Sequence, residues 1–343
     1  MKIPIENIYY LLCYAWDRME EGDVVDVAEV GRQRLPDLFA QVLINGVGHL
    51  LRRGLDRGYV SFADDVAGVR GKLDLSATLK RRLHTRARTH CQFDELSYDV
   101  VHNQILKATM RSLARTSDLD AGLREQLARL YRKLDRVSDV TLTRQLFRSV
   151  QLNRNNGFYY FLLGVCWLVF ENLIIDETEG TARFRDFRED QATMWAIFQN
   201  FVFNFFKKEQ TEYRVHAPTV AWHDAVGTPE SLSYLPLMRT DVVLENADRC
   251  LILDTKFYEE PFSYSFGKAS VHAGHLNQVF AYLYNRSRSV EGGKAFDGML
   301  LYPAVDRSFD FRYEIGGFPI TVRSVDLNRP WYEIREEMLT LVS

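Results

Sequence analysis

The stretch from Met238 to Phe257 contains two short apolar runs on either side of a polar turn. The runs are Val242–Leu244 and Leu251–Leu253, and Asn246–Arg249 lies between them. Two apolar runs joined by a short polar loop predict a β-hairpin. This hairpin determines which side chains of the segment face one another.

The alternation of apolar and charged residues sets the register of the hairpin. If Glu245 faces Cys250, the apolar residues of one strand meet those of the other, and Asp241 faces Asp254. A shift by one residue would mix the apolar and charged faces. Directly opposed side chains have Cβ atoms about 4.5–5.5 Å apart. The register therefore predicts two neighbouring carboxylates.

Two neighbouring carboxylates beside apolar pairs repel each other and need a cation. Mg²⁺ favours carboxylate oxygens and phosphate substrates. Lys256 projects from the same face as Asp254, where it can orient a water or stabilise developing negative charge. Asp254-Thr255-Lys256 is also the only Asp/Glu-x-Lys in the chain. The arrangement is typical of metal-dependent phosphodiester hydrolysis, and a salt-bridged strand end without chemistry is the alternative.

Periodicity along the chain predicts a mixed α+β or α/β fold. The N-terminal part is mostly helical with some strands, and the C-terminal part is a mixed sheet flanked by helices. The C-terminal part includes a helix predicted over 191–208, which follows the helix-start signal Glu189-Asp190. The clearest break is Asn153–Gly157, which predicts two domains, residues 1–155 and 156–343, and a boundary after the following helix, residues 158–175, is the alternative.

Charge is unevenly distributed along the chain. Residues 70–154 contain 18 Lys and Arg against nine Asp and Glu, a net of +9, so the rest of this −3 chain carries −12. The basic segment is either a surface for nucleic acid or an acidic partner, or a solvated helical face. No phosphate-binding G-x-x-x-x-G-K-[ST] motif occurs, which argues against NTP hydrolysis by this chain.

Compartment signals favour a reducing cytoplasm. The four cysteines are widely spaced, and the N-terminus carries Glu6 where a signal peptide would be apolar. The most apolar run, Phe158–Phe170, has 13 residues and is too short to span a bilayer. We therefore expect no membrane association.

Two sets of residues resemble a known nuclease family. Asp241 with Asp254-Thr255-Lys256, followed by Gln278-x-x-x-Tyr282, resembles the PD-(D/E)xK nuclease core. The opening Ile3–Trp16 is similar to the start of McrC proteins, the nuclease subunits of McrBC modified-cytosine restriction systems. The likeness runs nearly end to end and also includes Gly68–Asp74, Phe93–Leu96, Leu130–Leu134 and Leu301–Pro303.

The resemblance implies a division of labour between two proteins. McrC proteins work with a McrB-like AAA+ GTPase hexamer, which binds the GTP and recognises 5-methylcytosine in double-stranded DNA. Residues 1–155 would bind and activate the GTPase, and residues 156–343 would be a Mg²⁺-dependent PD-(D/E)xK endonuclease for defence against foreign DNA. The implied catalytic residues are Asp241, Asp254, Lys256 and Gln278, the implied metal ligands are Asp241, Asp254 and Thr255, and the residues that would contact DNA or the partner are Arg70, Lys72 and Tyr282.

The sequence departs from the nuclease pattern in two places. Thr240 replaces the proline of the motif, which is not a ligand. Gln199 stands on the preceding helix, where many members have a glutamate, so one metal is expected rather than two. Arg70-Gly71-Lys72 also fits an ordinary glycine turn with solvated charges.

Two rival functions stay open. One is an activator whose nuclease site does not cut, which the intact Asp241, Asp254 and Lys256 disfavour. The other is a stand-alone nuclease, which the long N-terminal part disfavours, since a nuclease core needs about one typical domain.

Overall fold

The computed structural model describes residues 3–17, 34–152, 156–175, 182–258, 261–265, 268–290, 293–305 and 308–342. The chain forms two compact units. The sheet unit combines residues 1–34 with 186–343, and the helical unit is residues 35–185. The predicted boundary at 155/156 is therefore displaced in the structure, and residues 153–155, within the predicted break, lie outside the described residues.

The regular elements alternate along the chain as the sequence predicts in outline. The helices are α1 (Ile5–Ala15), α2 (Leu35–Arg53), α3 (Leu75–Lys80), α4 (Val101–Ala114), α5 (Ala121–Lys133), α6 (Arg144–Arg148), α7 (Gly157–Asn172), α8 (Gln191–Glu209), α9 (Pro229–Ser233), α10 (Ala273–Arg288) and α11 (Trp331–Thr340). The strands are β1 (Gly58–Ala67), β2 (Lys72–Asp74), β3 (Arg88–Ser97), β4 (Leu173–Ile175), β5 (Ala182–Phe184), β6 (Arg214–His216), β7 (Thr219–Val220), β8 (Met238–Arg239), β9 (Val242–Glu245), β10 (Arg249–Thr255), β11 (Phe262–Ser265), β12 (Lys268–Val271), β13 (Ala295–Ala304), β14 (Asp310–Ile315) and β15 (Phe318–Asp326).

A mixed sheet forms the centre of the sheet unit. Within the described residues it has six strands in the order β14-β15-β13-β10-β9-β6. Strand β13 runs parallel to both β10 and β15, and the other pairs are antiparallel. Central strands covered on both faces are apolar throughout, and Leu251–Leu253 of β10 is fully buried in this way. The mixed α+β fold class is thus confirmed.

Helix α10 covers one face of this sheet, and α8 also packs against β10. Val279 and Leu283 of α10 join Ile252 and Leu300 in a buried apolar cluster. Helix α8 begins where the sequence predicts, because Asp190 caps it by accepting hydrogen bonds from the main-chain N–H of Ala192 and the Thr193 hydroxyl. These two helices bring polar side chains to the carboxyl end of β10.

Helix α1 belongs to the sheet unit although it opens the chain. The ring of Tyr14 packs against Phe201 and Phe205 of α8, with centroids 5.8 and 5.2 Å away. The Asn7 amide donates to the carbonyl oxygens of Leu327 and Arg329, both at 2.8 Å. These contacts are the physical reason why the first residues do not group with the segment that follows them.

The helical unit packs α2, α4, α5 and α7 around one another and carries a small sheet in the order β1-β3-β2. The apolar run Phe158–Phe170 lies inside α7, and most of its residues are buried. Across the part of the chain that the structure describes, no helix combines the length and apolar character needed to cross a membrane.

The predicted glycine turn lies between β1 and β2. Gly68 and Gly71 both have positive φ, +79° and +65°. A Cβ on Gly71 would lie 2.4 Å from the Gln92 carbonyl oxygen, whereas one on Gly68 would meet nothing within 4 Å. Glycine is therefore required twice over at Gly71, by its backbone conformation and by the close approach of β3.

Alanine at Gly71 should destabilise the protein more than alanine at Gly68. Both substitutions place a side chain at positive φ, at a cost of about 1–2 kcal/mol, but only Gly71→Ala adds a backbone clash. We expect urea unfolding to show a loss about 1–2 kcal/mol larger for Gly71→Ala, in line with other strained substitutions. Equal losses in the matched pair would contradict the close approach.

Candidate active site

The hairpin of β9 and β10 has the register that the sequence predicts. Glu245 pairs with Cys250, Leu244 with Leu251, and the ladder continues through Val243 and Val242. The six apolar residues of these pairs are all buried. Burial fixes the register, because a slip by one residue would bring charged side chains into the core.

The ladder ends before it reaches Asp241, which departs from the prediction. Thr240 donates hydrogen bonds from its main-chain N–H and its hydroxyl to the Pro218 carbonyl oxygen, and β8 pairs with β7 instead. Asp241 and Asp254 are therefore not a ladder pair. The Asp241 Oδ2 accepts from both the main-chain N–H and the hydroxyl of Thr255, each at 2.8 Å.

Asp254 is a buried carboxylate with too few partners. It is 1% exposed. Burial, the largest cause, and the charge of Asp241 together raise its pKa to about 6, against the opposing attraction of Lys256. Its Oδ2 lies 2.7 Å from the Lys256 Nζ. Within the described residues, Oδ1 has no hydrogen-bond partner. An unpartnered buried oxygen of this kind calls for an explanation.

Lys256 is held by a short chain of hydrogen bonds from α10. Its Nζ donates to the Gln278 Oε1 at 2.9 Å, and the Gln278 amide donates to the Tyr282 hydroxyl at 2.7 Å. That hydroxyl donates to the Arg239 carbonyl oxygen at 2.8 Å. The four-residue spacing of Gln278 and Tyr282 thus places both on one face of α10, as the sequence predicts.

Tyr282 does not have the surroundings expected of a residue that contacts DNA or a partner protein. It is 5% exposed, and its hydroxyl both accepts and donates inside the sheet unit. These internal bonds favour a positioning role, in which Tyr282 fixes the Gln278 amide so that its oxygen faces Lys256.

Helix α8 directs a stripe of side chains, spaced four residues apart, at the end of β10. The Gln199 amide donates to the Asp241 Oδ1 at 3.0 Å. One turn earlier the Trp195 indole N–H donates to the Thr255 carbonyl oxygen at 3.4 Å, and one turn earlier again Gln191 donates to the Phe257 carbonyl oxygen at 3.0 Å. Sequence reasoning found Gln199 but missed Trp195, although the i, i+4 spacing was visible.

The donors at this end of β10 fit one Mg²⁺ ion. Asp254 offers the unpartnered Oδ1, and Asp241 keeps lone pairs on both oxygens after its hydrogen bonds. The Thr255 hydroxyl is donated to Asp241, so the ligand that Thr255 can offer is its carbonyl oxygen. Among the described residues, no group of three or more His, Cys, Asp or Glu is arranged so that it could hold a metal ion. Mg²⁺ accepts a small set because it keeps several waters.

The other predicted contact residues lie in the helical unit. The Arg70 guanidinium forms an ion pair with Glu95 at 2.6 Å and lies over the Phe93 ring at 4.3 Å. Lys72 is exposed on β2. The internal partners of Arg70 fit the solvated-turn alternative, so contact of either residue with DNA or a partner stays a prediction.

Comparison with known proteins decides the family. The family model described as "McrBC 5-methylcytosine restriction system component" matches residues 6–303. The chain belongs to this family. It is 32% identical over 339 residues to the "Type IV methyl-directed restriction enzyme EcoKMcrBC" of Escherichia coli K12, covering 99% of this chain and 97% of that protein. The resemblance to McrC that the sequence carries is confirmed.

A solved structure has a fold similar to that of this chain. It is the half-complex from the tetradecameric assembly of Thermococcus gammatolerans McrB AAA+ hexamers with bound McrC. The match has a TM-score of 0.58 at 16% identity and covers 99% of this chain and 76% of that one. At this identity the likeness concerns the fold alone.

Proposed function

We propose that this protein is the Mg²⁺-dependent endodeoxyribonuclease subunit of a modified-cytosine restriction complex. The observation that carries the proposal is Asp254, a buried carboxylate with an unpartnered oxygen, close to Asp241 and paired with Lys256. Perturbed carboxylates next to a lysine are typical of functional sites. Membership of a restriction family makes DNA the substrate that fits this chemistry.

Each residue of the proposed site has a distinct role. Asp241 and Asp254 hold the metal, and the Thr255 carbonyl oxygen is the third ligand from the chain. When bound, Mg²⁺ neutralises the phosphate and lowers the pKa of a water. Lys256 orients the attacking water or stabilises the negative charge that develops as the P–O bond breaks. Gln278 and Tyr282 keep the lysine in place.

The proposed partner is a McrB-like AAA+ GTPase hexamer. The solved structure of similar fold is an assembly of McrB AAA+ hexamers with bound McrC. The sequence of this chain contains no phosphate-binding loop motif. GTP would therefore be bound by the partner, and this chain would stimulate its hydrolysis. The helical unit, which contains the basic segment of residues 70–154, is proposed to contact the partner or DNA.

Reconstitution tests this function against its two rivals. DNA containing 5-methylcytosine is incubated with this chain, the GTPase of the same system, GTP and Mg²⁺, and each component is omitted in turn. We expect cleavage only in the complete mixture, and a chelator in excess over Mg²⁺ should abolish it. Cleavage without the GTPase would favour a stand-alone nuclease. GTPase stimulation without any cleavage would favour an activator that does not cut.

A further inference from the structure

A groove of about 510 Å³ opens beside Lys256 in the sheet unit. Its walls include Trp195 from α8, together with Phe257 and Tyr258 just beyond β10. A groove of this volume beside Lys256 has room for a part of the substrate next to the reacting phosphate.

Trp195 is held at its indole N–H, is partly exposed and lines the groove. Its indole N–H is bound to the Thr255 carbonyl oxygen, yet 42% of the residue is exposed. Gln191 and Gln199, one turn away on either side, are bound to main chain and to Asp241, so the helix face is fixed. A fixed indole with an accessible face is a surface on which a flat ring can stack.

The charges around the groove allow a nucleotide to approach. Lys256 supplies a cation at one wall. Asp190 also lines the groove, but its carboxylate accepts from the Ala192 N–H and the Thr193 hydroxyl at the start of α8. The N–H groups at the start of the helix thus stabilise the negative charge of Asp190 and reduce its repulsion of a phosphate. The aromatic side chains beside Lys256 can contact a base while the lysine attracts the phosphate joined to it.

We propose that Trp195 stacks on one nucleobase of the DNA strand whose phosphate is bound by Asp241 and Asp254. The inference rests on the proposed nuclease function and adds how the strand is held. In a duplex both faces of a base are covered by its neighbours, so stacking on Trp195 requires a nucleotide that has left the stack. The site would therefore favour single-stranded or locally distorted DNA.

Two probes with the same phosphate backbone test the stacking. One is a short thymidine oligonucleotide, and the other has the same length with every base removed. Binding to the full-length protein is measured in Ca²⁺, with the intact length of each probe confirmed on a gel. The wild type should bind the base-bearing strand about 5- to 100-fold tighter, as one stacked base provides.

Two variants separate stacking from a structural role of the indole. Trp195→Phe and Trp195→Leu both lose the N–H that binds Thr255, but only phenylalanine keeps an aromatic face. We expect Trp195→Phe to retain most of the preference for bases and Trp195→Leu to lose it, with similar thermal unfolding of both proteins. An unchanged preference in Trp195→Leu, or equal losses in the two variants, would overturn the stacking.

The same measurements distinguish this inference from the proposed function. A wild type that cuts DNA in the reconstituted mixture but shows no preference for bases would overturn the stacking alone. A wild type that neither binds nor cuts DNA, with or without the GTPase, would overturn the nuclease itself.

Discussion

Replacing Asp254 with alanine should abolish DNA cleavage while stimulation of the partner GTPase is retained. The substitution removes the buried carboxylate whose Oδ1 is proposed to bind the metal, and it also removes the ion-pair partner of Lys256. Loss of one group that stabilises charge in a transition state typically costs about 10²–10³-fold in rate. We expect at least this loss in the reconstituted cleavage assay, at saturating GTPase, GTP and Mg²⁺.

The hairpin offers a matched control for this variant. Asp248 lies in the turn of the same hairpin, and its side chain is exposed. Asp248→Ala should cut DNA at the wild-type rate. Unchanged cleavage by Asp254→Ala would refute the site assignment. A loss of GTPase stimulation in Asp254→Ala would indicate a misfolded protein, which thermal unfolding would reveal.

The sequence was sufficient to predict the hairpin because local alternation determines its register. Glu245 opposite Cys250 follows from separating apolar from charged residues, and burial of both strands enforces it. The pairing of Gln278 with Tyr282 follows in the same way from helical spacing. Both features depend only on residues close together in the chain.

Features that depend on contacts between residues far apart in the chain could not be predicted from the sequence. Asp241, which the sequence pairs with Asp254, leaves the ladder because Thr240 bonds to Pro218 and divides the segment into β8 and β9. Trp195 reaches Thr255 only because α8 packs against β10. The four-residue spacing of Trp195 and Gln199 is a local pattern, but neither contact is local, since each depends on how separate elements pack.

The grouping of the first residues with the sheet unit was not predicted, for the same reason. The break at 153–157 is a local signal, whereas the grouping of α1 with the sheet unit rests on Asn7 contacting residues more than 300 positions away. A linear division of the sequence cannot represent a unit assembled from both ends of the chain.

Asp254→Asn should make the metal-free protein more stable at neutral pH. In the folded protein the pKa of Asp254 is raised from its ordinary value of 3.8 to about 6, mainly by burial. Between these two values the unfolded chain has released the proton that the folded chain still holds, so the free energy of unfolding falls as the pH rises. The decrease in the free energy of unfolding is complete above pH 6 and amounts to about 3 kcal/mol.

Asparagine has nearly the same shape and carries no charge, so this pH-dependent loss should be absent from Asp254→Asn. Unfolding by urea in a chelator should give similar stabilities for the two proteins near pH 4 and a more stable variant near pH 8. Adding Mg²⁺ at pH 8 should reverse the order, because the wild type gains about 4.1 kcal/mol at a thousandfold excess over its dissociation constant, which exceeds the loss of about 3 kcal/mol, whereas the variant lacks the carboxylate. If the wild type were the more stable protein without metal at pH 8, the ion pair with Lys256 would outweigh the cost of burying the Asp254 charge, and the case for a metal there would fail.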